Sequence, residues 1–414
     1  MSLNSVVILN SFCYVQGGAS RVAIDEAVGL AKRGIDVAFI GTTGPVSEEL
    51  VAAGVRVICL EQDDILSGAG DLRVVVQGLW NFVAQREVAR CLASLDPRAT
   101  VVHVHGFTQG LSSSPVRSAL RLGFEVVVTL HDYFVACPNG GFFDYAKGAP
   151  CYRRAMSLNC ITAHCDKRHY AHKLYRVARE NVQRTFGKLP GGVRNYIALS
   201  ERTVDILRPY LPAAARVFKL SNPIEVPYGQ ACDAQANDGV VAVGRVEPEK
   251  GIPLLLESAK RAAIEVVLVG DGSLRQTAEE SGVCRVTGWL SREGVIDALR
   301  RARCLVFPSL CFETFGLSVS EAAALGVPAI VGDKTAAAER VRDGVTGWHF
   351  RTGDAGDLAR CLGALKSPNL VSAAGRAAFD SFWRDPPTRQ RHAEQLVRIY
   401  EEMLSSGAKM QGRH

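Results

Sequence analysis

Short apolar runs alternate with longer amphipathic stretches along the first half of the chain. The runs are rich in valine and isoleucine and read VVILNS, DVAFIG, VRVICL, TVVHVHG and EVVVTLHD. The stretches between them place apolar residues three and four positions apart, a spacing that is typical of helices. Alternating strands and helices predict a parallel sheet with crossover helices.

The alternation stops after residue 227 and then begins again. The polar stretch YGQACDAQANDG is followed by VVAVGRV, EVVLVGDG, CLVFPS and PAIVGD. Because 414 residues exceed the usual size of one hydrophobic core, we predict two doubly wound, Rossmann-like α/β domains. If these domains face each other, the carboxyl ends of both sets of strands meet at a central cleft, where α/β proteins bind ligands.

The domain boundary is predicted near this polar stretch, between residues 222 and 238. The predicted units are an N-terminal domain, a C-terminal domain, and a C-terminal helix that packs back toward the first domain (1–222, 223–380 and 381–414). Residues 133–190 interrupt the first alternation and are predicted to be an insertion in the N-terminal domain.

Bulk composition is that of an ordinary globular protein, with 47% hydrophobic and 22% charged residues. No apolar run approaches the roughly 18 residues that suggest a membrane-spanning helix. The first residues, MSLNSVVILNSF, lack the positive segment and cleavage site of a signal peptide. We therefore expect a cytoplasmic protein whose 12 cysteines are reduced.

Positive charge is concentrated in one segment. The whole chain has a net charge of +6, whereas residues 151–188 carry nine Lys or Arg against Asp166 and Glu180. The segment has no stacked aromatics or arginine-glycine repeats, so a nucleic-acid partner is not expected. An anionic membrane surface or an acidic acceptor fits this charge better.

The same region contains a predicted basic amphipathic helix, within residues 166–188. Its apolar residues lie near helical spacing among cations, at Tyr170, Leu174, Val177, Val182 and Phe186. Such a helix can lie on a membrane surface. The alternative is an ordinary helix that packs its apolar stripe on the core.

Four cysteines fall within 29 residues of the insertion, at Cys137, Cys151, Cys160 and Cys165. Four thiolates can close a tetrahedral zinc site and so fold a loop-rich segment. The spacings lack the paired short knuckles of well-known zinc modules, and His164 could replace one ligand. A structural zinc, buried independent thiols and disulfide pairs all remain open.

Two carboxylates lie eight positions apart in CFETFGLSVSEAAALG, residues 311–326. Glu313 is predicted in a loop and Glu321 on an early turn of the following helix. Between them, the free amides of Phe315, Gly316 and Leu317 at the positive end of the helix form an anion site. Carboxylates accept paired hydroxyl hydrogen bonds, so this pocket suits a sugar nucleotide. The alternative is that both are glutamates favoured by the helix dipole.

A second candidate site is VGRVEPEKG, residues 243–251. Gly244 ends a predicted strand, and Arg245 and Lys250 follow on either side of a turn. A guanidinium and an ammonium that converge there would neutralise a diphosphate and assist its departure, without requiring a metal. The alternative is a solvated loop with two exposed cations.

Glycines at two further strand-to-helix turns allow close approach of a ligand to the backbone. Gly17 and Gly18 open the first helix in SFCYVQGGASR. Gly270, Asp271 and Gly272 follow a strand in LVGDGSLRQ and could border a base or ribose. Glycines at such turns are also commonly structural.

The order of GGASRV, TLHDYF, VGRVEPEKG, VGDGSL, ETFGLSVSEAAALGVPAI and ERVRDGVTGWHF resembles the retaining, family-four glycosyltransferases of the GT-B fold. The resemblance covers nearly the whole chain. It implies that Glu321 binds ribose and that Glu313 lies against the donor sugar. It also implies that Arg245 and Lys250 hold the diphosphate. The family's strand-end histidine maps to His131, and its early glycines map to Gly17 and Gly18.

The reaction that the resemblance implies is metal-independent transfer from a nucleotide diphosphate sugar to a hydroxyl, with retention of configuration. The leaving diphosphate helps to deprotonate the acceptor, which would be a cell-envelope glycan, lipid-linked saccharide or other glycoconjugate. No cofactor is expected, and His131, Arg245, Lys250 and Glu313 are the implied catalytic residues. The alternatives are a GT-B epimerase or phosphorylase and a non-catalytic sugar-nucleotide-binding protein.

Two places depart from the family's pattern. Ala336 and Ala337 stand where the family commonly has Gly-Gly, before a retained Glu339, and Ser20 stands where glutamate is common. Both departures concern the donor-sugar and acceptor contacts rather than the diphosphate site.

Overall fold

The computed structural model describes residues 3–65 and 72–411, with the side chains of the last helix included through Gly407. The predicted domain ranges also include 1–2, 66–71 and 412–414, which lie outside the described residues. The strands are β1 (Ser5–Leu9), β2 (Asp36–Gly41), β3 (Arg56–Cys59), β4 (Thr100–Val104), β5 (Glu125–Thr129), β6 (Phe143–Asp144), β7 (Ala149–Pro150), β8 (Asn195–Ala198), β9 (Arg216–Lys219), β10 (Gly239–Val243), β11 (Val266–Val269), β12 (Cys284–Val286), β13 (Ala302–Phe307), β14 (Ala329–Gly332) and β15 (Gly347–Phe350).

The helices connect these strands in nearly regular alternation. They are α1 (Gly18–Ala31), α2 (Glu48–Ala52), α3 (Leu72–Leu79), α4 (Phe82–Leu92), α5 (Ser114–Arg121), α6 (Leu158–Ile161), α7 (Tyr170–Thr185), α8 (Glu201–Leu207), α9 (Ile252–Ala262), α10 (Arg275–Glu279), α11 (Arg292–Arg300), α12 (Leu317–Leu325), α13 (Ala355–Ala364), α14 (Pro368–Arg384) and α15 (Arg389–Gln411). Short 3-10 helices lie at Arg208–Tyr210, Ala234–Ala236, Pro248–Lys250 and Ala336–Arg340.

Two parallel sheets form the framework. The first has the order β3-β2-β1-β4-β5-β8-β9 and the second β12-β11-β10-β13-β14-β15. Every pairing within them is parallel, which requires a crossover between neighbouring strands. The predicted fold class, two doubly wound Rossmann-like units, is confirmed.

Alternation along β1 explains why both faces of the first sheet are covered. Val7 and Leu9 belong to one apolar cluster, and Val6 and Ile8 belong to another on the opposite face. Successive strand residues point to opposite faces, so a run without polar positions must be buried on both. Helices α4 and α5 supply residues to the first cluster, and α1 and α15 supply residues to the second.

Helix α15 returns to the first sheet although it follows the second in sequence. Its apolar side chains join the cluster that contains Val6 and Ile8, at Leu396, Tyr400, Met403 and Leu404. The last strand of the first sheet ends at Lys219, and the first strand of the second begins at Gly239. The predicted domain boundary falls between them and stays a prediction.

Helix α7 packs with a different face from the one that its apolar spacing indicates. Its buried residues are Lys173, Val177, Glu180 and Gln183. By contrast, Leu174 is 46% exposed and Phe186, which follows the helix, is 65% exposed. The inward polar groups have partners, since Glu180 accepts hydrogen bonds from Arg184 and Gln183. The expectation that an apolar stripe packs on the core is therefore wrong for these two residues.

Candidate functional site

Three loops meet at the carboxyl ends of β10, β11 and β13. Gly270 has a φ of +145°, and a Cβ there would lie 2.0 Å from the carbonyl oxygen of Gly244. A Cβ at Gly272 would lie 2.4 Å from the carbonyl oxygen of Val246. These predicted donor-binding glycines are thus needed for the loops to pack against each other.

The Asp271 carboxylate is already engaged within its own loop. It accepts hydrogen bonds from Arg275 Nη1 at 2.8 Å and from the Gly272 amide at 2.8 Å. The Asp271 carbonyl oxygen accepts a further bond from the Val246 amide at 2.9 Å. Its predicted contact with the nucleotide stays a prediction.

The start of α12 has the geometry of an anion site. Gly316 has a φ of +92° and precedes Leu317, the first helical residue. Within the described part of the chain, the amides of Phe315, Gly316 and Leu317 donate no hydrogen bond to another residue. Free amides at a helix N-terminus favour an anion.

The early glycine turn lies against this helix. A Cβ at Gly18 would lie 3.1 Å from Leu317 Cδ1, whereas one at Gly17 would meet nothing within 4 Å. The structure therefore brings the turn that opens α1 to the N-terminus of α12. The turn follows β1 of the first sheet, and α12 follows β13 of the second sheet. The two elements therefore face each other across the cleft.

Lys250 and Glu313 form a direct ion pair. Lys250 Nζ contacts Glu313 Oε1, which also accepts hydrogen bonds from Ser309 Oγ at 2.8 Å and Cys311 Sγ at 3.4 Å. Burial opposes the charge of both groups. The ion pair between them outweighs the effect of burial. As a result, the pKa of Lys250 is raised and the pKa of Glu313 is lowered. Both groups are therefore charged at neutral pH.

Arg245 is the second cation of this region. Its Nη2 lies 2.9 Å from Glu249 Oε1, yet its side chain is about half exposed. Its positive charge acts to lower the pKa of Lys250, which shows that the two cations are close. The structure brings together the pair that the sequence predicts for a diphosphate.

Glu321 is a half-buried carboxylate on the second turn of α12. Across the residues that the structure describes, no group donates a hydrogen bond to it. Burial raises its pKa, and the positive charge of Arg292 acts in the opposite direction. A shielded acceptor without a donor is the kind of group that a ligand hydroxyl satisfies.

Residues 131–133 contact residues 313–314 across the cleft. Tyr133 Oη donates to the carbonyl oxygen of Glu313 at 2.8 Å, and Thr314 Oγ1 donates to the carbonyl oxygen of His131 at 3.0 Å. Glu313 has a φ of +45°, a strained conformation for a residue with a side chain. Tyr133 and Thr314 were missed from the sequence, although both adjoin predicted site residues.

The insertion also reaches the donor loops. Lys167 Nζ lies 2.7 Å from Glu247 Oε2, which accepts a hydrogen bond from Ser273 Oγ at 2.5 Å. Tyr145, beside the hairpin of β6 and β7, lies close enough to Glu249 and Arg245 for their charges to act on its pKa, which burial raises. No sequence motif marks these contacts.

Behind His131 lies a cluster of buried polar groups. His131 Nε2 is 2.8 Å from His105 Nδ1, and His105 Nε2 is 3.2 Å from Glu26 Oε2. His103 Nδ1 is 3.1 Å from the same Glu26 oxygen. The sequence motifs indicate His131 alone, because Glu26 lies on α1 and far away in sequence.

The four predicted zinc ligands do not form a metal site. Within the described chain, one group of three or more candidate ligand atoms lies within 4.8 Å of one another, and it is Glu26, His103 and His105. Cys137, Cys151, Cys160 and Cys165 are free thiols, and the ring of His164 stacks on Tyr170 at 4.3 Å. The predicted structural zinc is therefore not supported.

A buried lysine explains this arrangement of thiols. Lys173 is fully buried, and its Nζ lies 3.6 Å from Cys160 Sγ. Its charge also acts on Cys165 and Cys137. Burial raises the pKa of Cys137 to about 11, so this thiol is protonated. An ammonium beside the sulfurs opposes a second cation there.

The two departures from the family pattern lie in packed positions. Ala336 and Ala337 are fully buried, and a Cβ at Gly316 would lie 2.9 Å from Ala337 Cβ. Their methyl groups therefore pack against other protein atoms and do not fill open volume in the cleft. Glu339 accepts the amides of Glu201 and Arg202 at 3.0 and 2.7 Å, so it caps α8 of the other sheet. Ser20 is buried.

Comparison with known families places both halves of the chain. Residues 17–222 match the family described as "Glycosyl transferase 4-like domain". Residues 236–378 match "Glycosyl transferases group 1". The two matched segments contain every strand of the two sheets except β1.

Relatives of similar sequence include two bacterial mannosyltransferases. The phosphatidyl-myo-inositol mannosyltransferase of Mycobacterium leprae is 28% identical over 217 residues, covering 46% of this chain and 56% of that enzyme. The chain thus spans little more than half the length of that relative. The O-antigen chain mannosyltransferase C of Escherichia coli is 27% identical, covering 61% of this chain and 67% of that enzyme.

Solved structures share the fold over almost the whole chain. Sucrose-phosphate synthase from Thermosynechococcus elongatus aligns with a TM-score of 0.69 at 18% identity, covering 97% of this chain and 100% of that one. The Anabaena protein HepE in complex with UDP aligns with a TM-score of 0.63 at 15% identity, covering 96% and 100%.

Fold and matches together define the class as glycosyltransferases with the GT-B fold. The chain belongs to the family-four type of these proteins.

Proposed function

We propose that the protein transfers a sugar from a nucleotide diphosphate sugar to a hydroxyl of a glycan or glycolipid. The observation that carries the proposal is the paired Lys250 and Glu313 beside Arg245. The donor's diphosphate lies against the two cations, and its ribose lies against Glu321. The free amides at the start of α12 provide further donors for phosphate oxygens.

The proposed reaction depends on how the protein stabilises negative charge on the leaving group. Breaking the bond to the sugar leaves a nucleoside diphosphate, whose negative charge grows in the transition state. Fixed cations that meet this growing charge lower the barrier. When the diphosphate binds, it competes with Glu313 for the Lys250 ammonium, so Glu313 is released toward the donor sugar.

We also propose that transfer retains the anomeric configuration and does not require a metal. Arg245 and Lys250 supply the positive charge that a bound cation provides in other sites. The leaving diphosphate itself accepts the acceptor proton on the same face of the sugar. The family resemblance and the charged cleft support this mechanism.

The acceptor is proposed to be a cell-envelope glycan or glycolipid. The mycobacterial relative is named for a phosphatidyl-inositol acceptor and the Escherichia coli relative for an O-antigen chain. None of the described helices is both long and apolar enough to cross a bilayer. A lipid-linked acceptor would then be reached by peripheral contact, and a cytoplasmic location stays part of this proposal.

An exposed apolar surface beside α7 offers such a contact. Large apolar side chains of α3, α4, α7 and the turn after α7 are exposed, at Leu72, Val75, Val76, Phe82, Val83, Leu174 and Phe186. Tyr175 Oη on α7 donates to the carbonyl oxygen of Val75 at 2.9 Å, which joins the two helices. Apolar groups among the cations of residues 151–188 suit an anionic membrane surface.

Replacing Leu174 and Phe186 with glutamate should abolish binding to vesicles that contain anionic lipid, because it removes apolar contact and adds like charge. Flotation of wild-type protein should weaken steeply as salt rises. Leu370→Glu, at an exposed leucine on α14, is the matched control and should float normally. Equal flotation of the double variant and wild type would contradict this part of the proposal.

A transfer assay tests the function itself. Purified protein is incubated with a panel of nucleotide diphosphate sugars and lipid or glycan acceptors, and release of the nucleoside diphosphate is followed. We expect one donor to be consumed, faster with the right acceptor, and equally with a chelator present. Loss of transfer on metal removal would contradict the metal-independent mechanism.

A further inference from the structure

Glu26 and His392 form a buried hydrogen-bonded pair that no part of the donor site uses. Glu26 lies on α1 and His392 on α15, and each is 2% exposed. His392 Nε2 is 2.9 Å from Glu26 Oε1, and His392 Nδ1 is 2.8 Å from the carbonyl oxygen of Ser221. Both ring nitrogens therefore face oxygen atoms, one of a carboxylate and one of a backbone carbonyl.

The second oxygen of Glu26 faces His105. His105 Nε2 lies 3.2 Å from Glu26 Oε2 without the angle of a hydrogen bond, and neither atom has a hydrogen-bond partner among the described residues. A carboxylate oxygen at this distance favours a proton on the nitrogen that faces it. The same holds if the proton shared by Glu26 and His392 sits on Glu26 Oε1, because Oε2 stays an acceptor in either state. With a single proton on Nε2, His105 has a lone pair on Nδ1.

His105 passes this constraint to His131. His105 Nδ1 is 2.8 Å from His131 Nε2, and the two rings stack with centroids 5.1 Å apart. A lone pair on His105 Nδ1 requires an N–H on His131 Nε2. Burial lowers the pKa of His131 well below its usual value, so the ring is neutral. Its Nδ1 is therefore unprotonated.

We propose that Glu26, held by His392, is a positioning residue that fixes the tautomer of His131 through His105. His131 Nδ1 is then an acceptor for a hydroxyl of the sugar or of the acceptor. Within the described residues, no group hydrogen-bonds this nitrogen. The inference rests on the proposed function in one respect, namely that His131 faces the substrates. Because His392 lies on α15, this helix, which follows the donor domain, becomes part of the acceptor-side site.

A divalent metal is the competing explanation for this cluster. Glu26, His103 and His105 have ligand atoms within 4.8 Å of one another. However, His103 Nδ1 is already 2.6 Å from Tyr400 Oη, and His392 Nε2 already lies 2.9 Å from the other oxygen of the one carboxylate. A metal on His105 Nε2 would place the proton on His105 Nδ1 and so reverse the tautomer of His131.

Nitrogen NMR of protein labelled with 15N-histidine distinguishes the two arrangements. The His131 signals are identified by their absence in His131→Asn. We expect a protonated Nε2 and an unprotonated Nδ1 at neutral pH. The reverse tautomer, or one equivalent of divalent metal by elemental analysis, would overturn the inference. This measurement requires no turnover, so its failure is distinguishable from failure of the proposed function.

Glu26→Gln tests the kinetic consequence. An amide has no fixed acceptor for His105, so we expect kcat to fall roughly 10- to 100-fold, with the donor KM within about twofold. Because this change leaves His392 without its carboxylate partner, Glu26→Gln with His392→Gln is measured as well and should be equally slow. Glu125→Gln, at a half-buried carboxylate elsewhere in the first sheet, should keep wild-type kcat. Wild-type kcat in folded Glu26→Gln would refute the positioning role.

Discussion

Replacing Lys250 with methionine will lower kcat by about 100- to 1,000-fold, the usual loss on removing one preorganised donor from a developing charge. The Lys250 ammonium contacts Glu313 in the ligand-free protein and lies close to Arg245. In the proposed reaction, its charge is needed most when the diphosphate leaves. Affinity for the intact donor should therefore fall less than kcat does.

The substitution must be separated from a loss of folding. Without Lys250, the Glu313 carboxylate loses its ion pair, and breaking such a pair typically costs about 3 to 5 kcal/mol. Lys250→Met is therefore compared with the double variant Lys250→Met and Glu313→Gln, which removes the orphaned charge. Lys260→Met, at an exposed lysine on α9, is the control and should be fully active. Turnover that survives in folded Lys250→Met would place the diphosphate elsewhere.

Replacing Glu321 with alanine will weaken binding of the free nucleoside diphosphate by about 2 to 5 kcal/mol, since one or two charge-assisted hydrogen bonds to ribose are lost. The carboxylate has no donor among the described residues, and burial raises its pKa. Its removal should consequently leave the melting temperature unchanged or higher. Loss of affinity without loss of stability is the signature of a group retained for a ligand.

Calorimetric titration of the nucleoside diphosphate measures this effect. Glu293→Ala, at an exposed glutamate on α11 of the same unit, serves as the control and should bind normally. A folded Glu321→Ala protein with wild-type affinity would show that the ribose is not bound there. A large drop in melting temperature would instead assign Glu321 to the core.

Much of the fold follows from local patterns in the sequence. Runs such as VVILNS and EVVVTLHD contain β1 and β5 because strands covered on both faces must be apolar throughout. The start of α12 was predictable from its glycine. Gly316 takes a positive φ before the helix, a conformation that glycine adopts readily. The motif residues Arg245, Lys250 and Glu313 were also predictable, since each follows the end of a strand of one sheet.

The rest depends on contacts between distant residues. Tyr133 reaches Glu313 across 180 positions, and His392 reaches Glu26 across 366. Spacing on α7 predicts an apolar stripe but does not say which face packs inward, and the buried Lys173 and Glu180 reverse the expected orientation. Clustered cysteines likewise suggest a metal until a buried ammonium is found beside them.

The most direct test of the account is the product of the transfer assay, formed with a chelator present. Proton NMR of the new glycosidic bond reports its anomeric configuration relative to that of the donor. We expect transfer with retained configuration by wild type and Lys260→Met, and strongly reduced transfer by Lys250→Met. An inverted product, or transfer that Lys250→Met carries out at the wild-type rate, would contradict it.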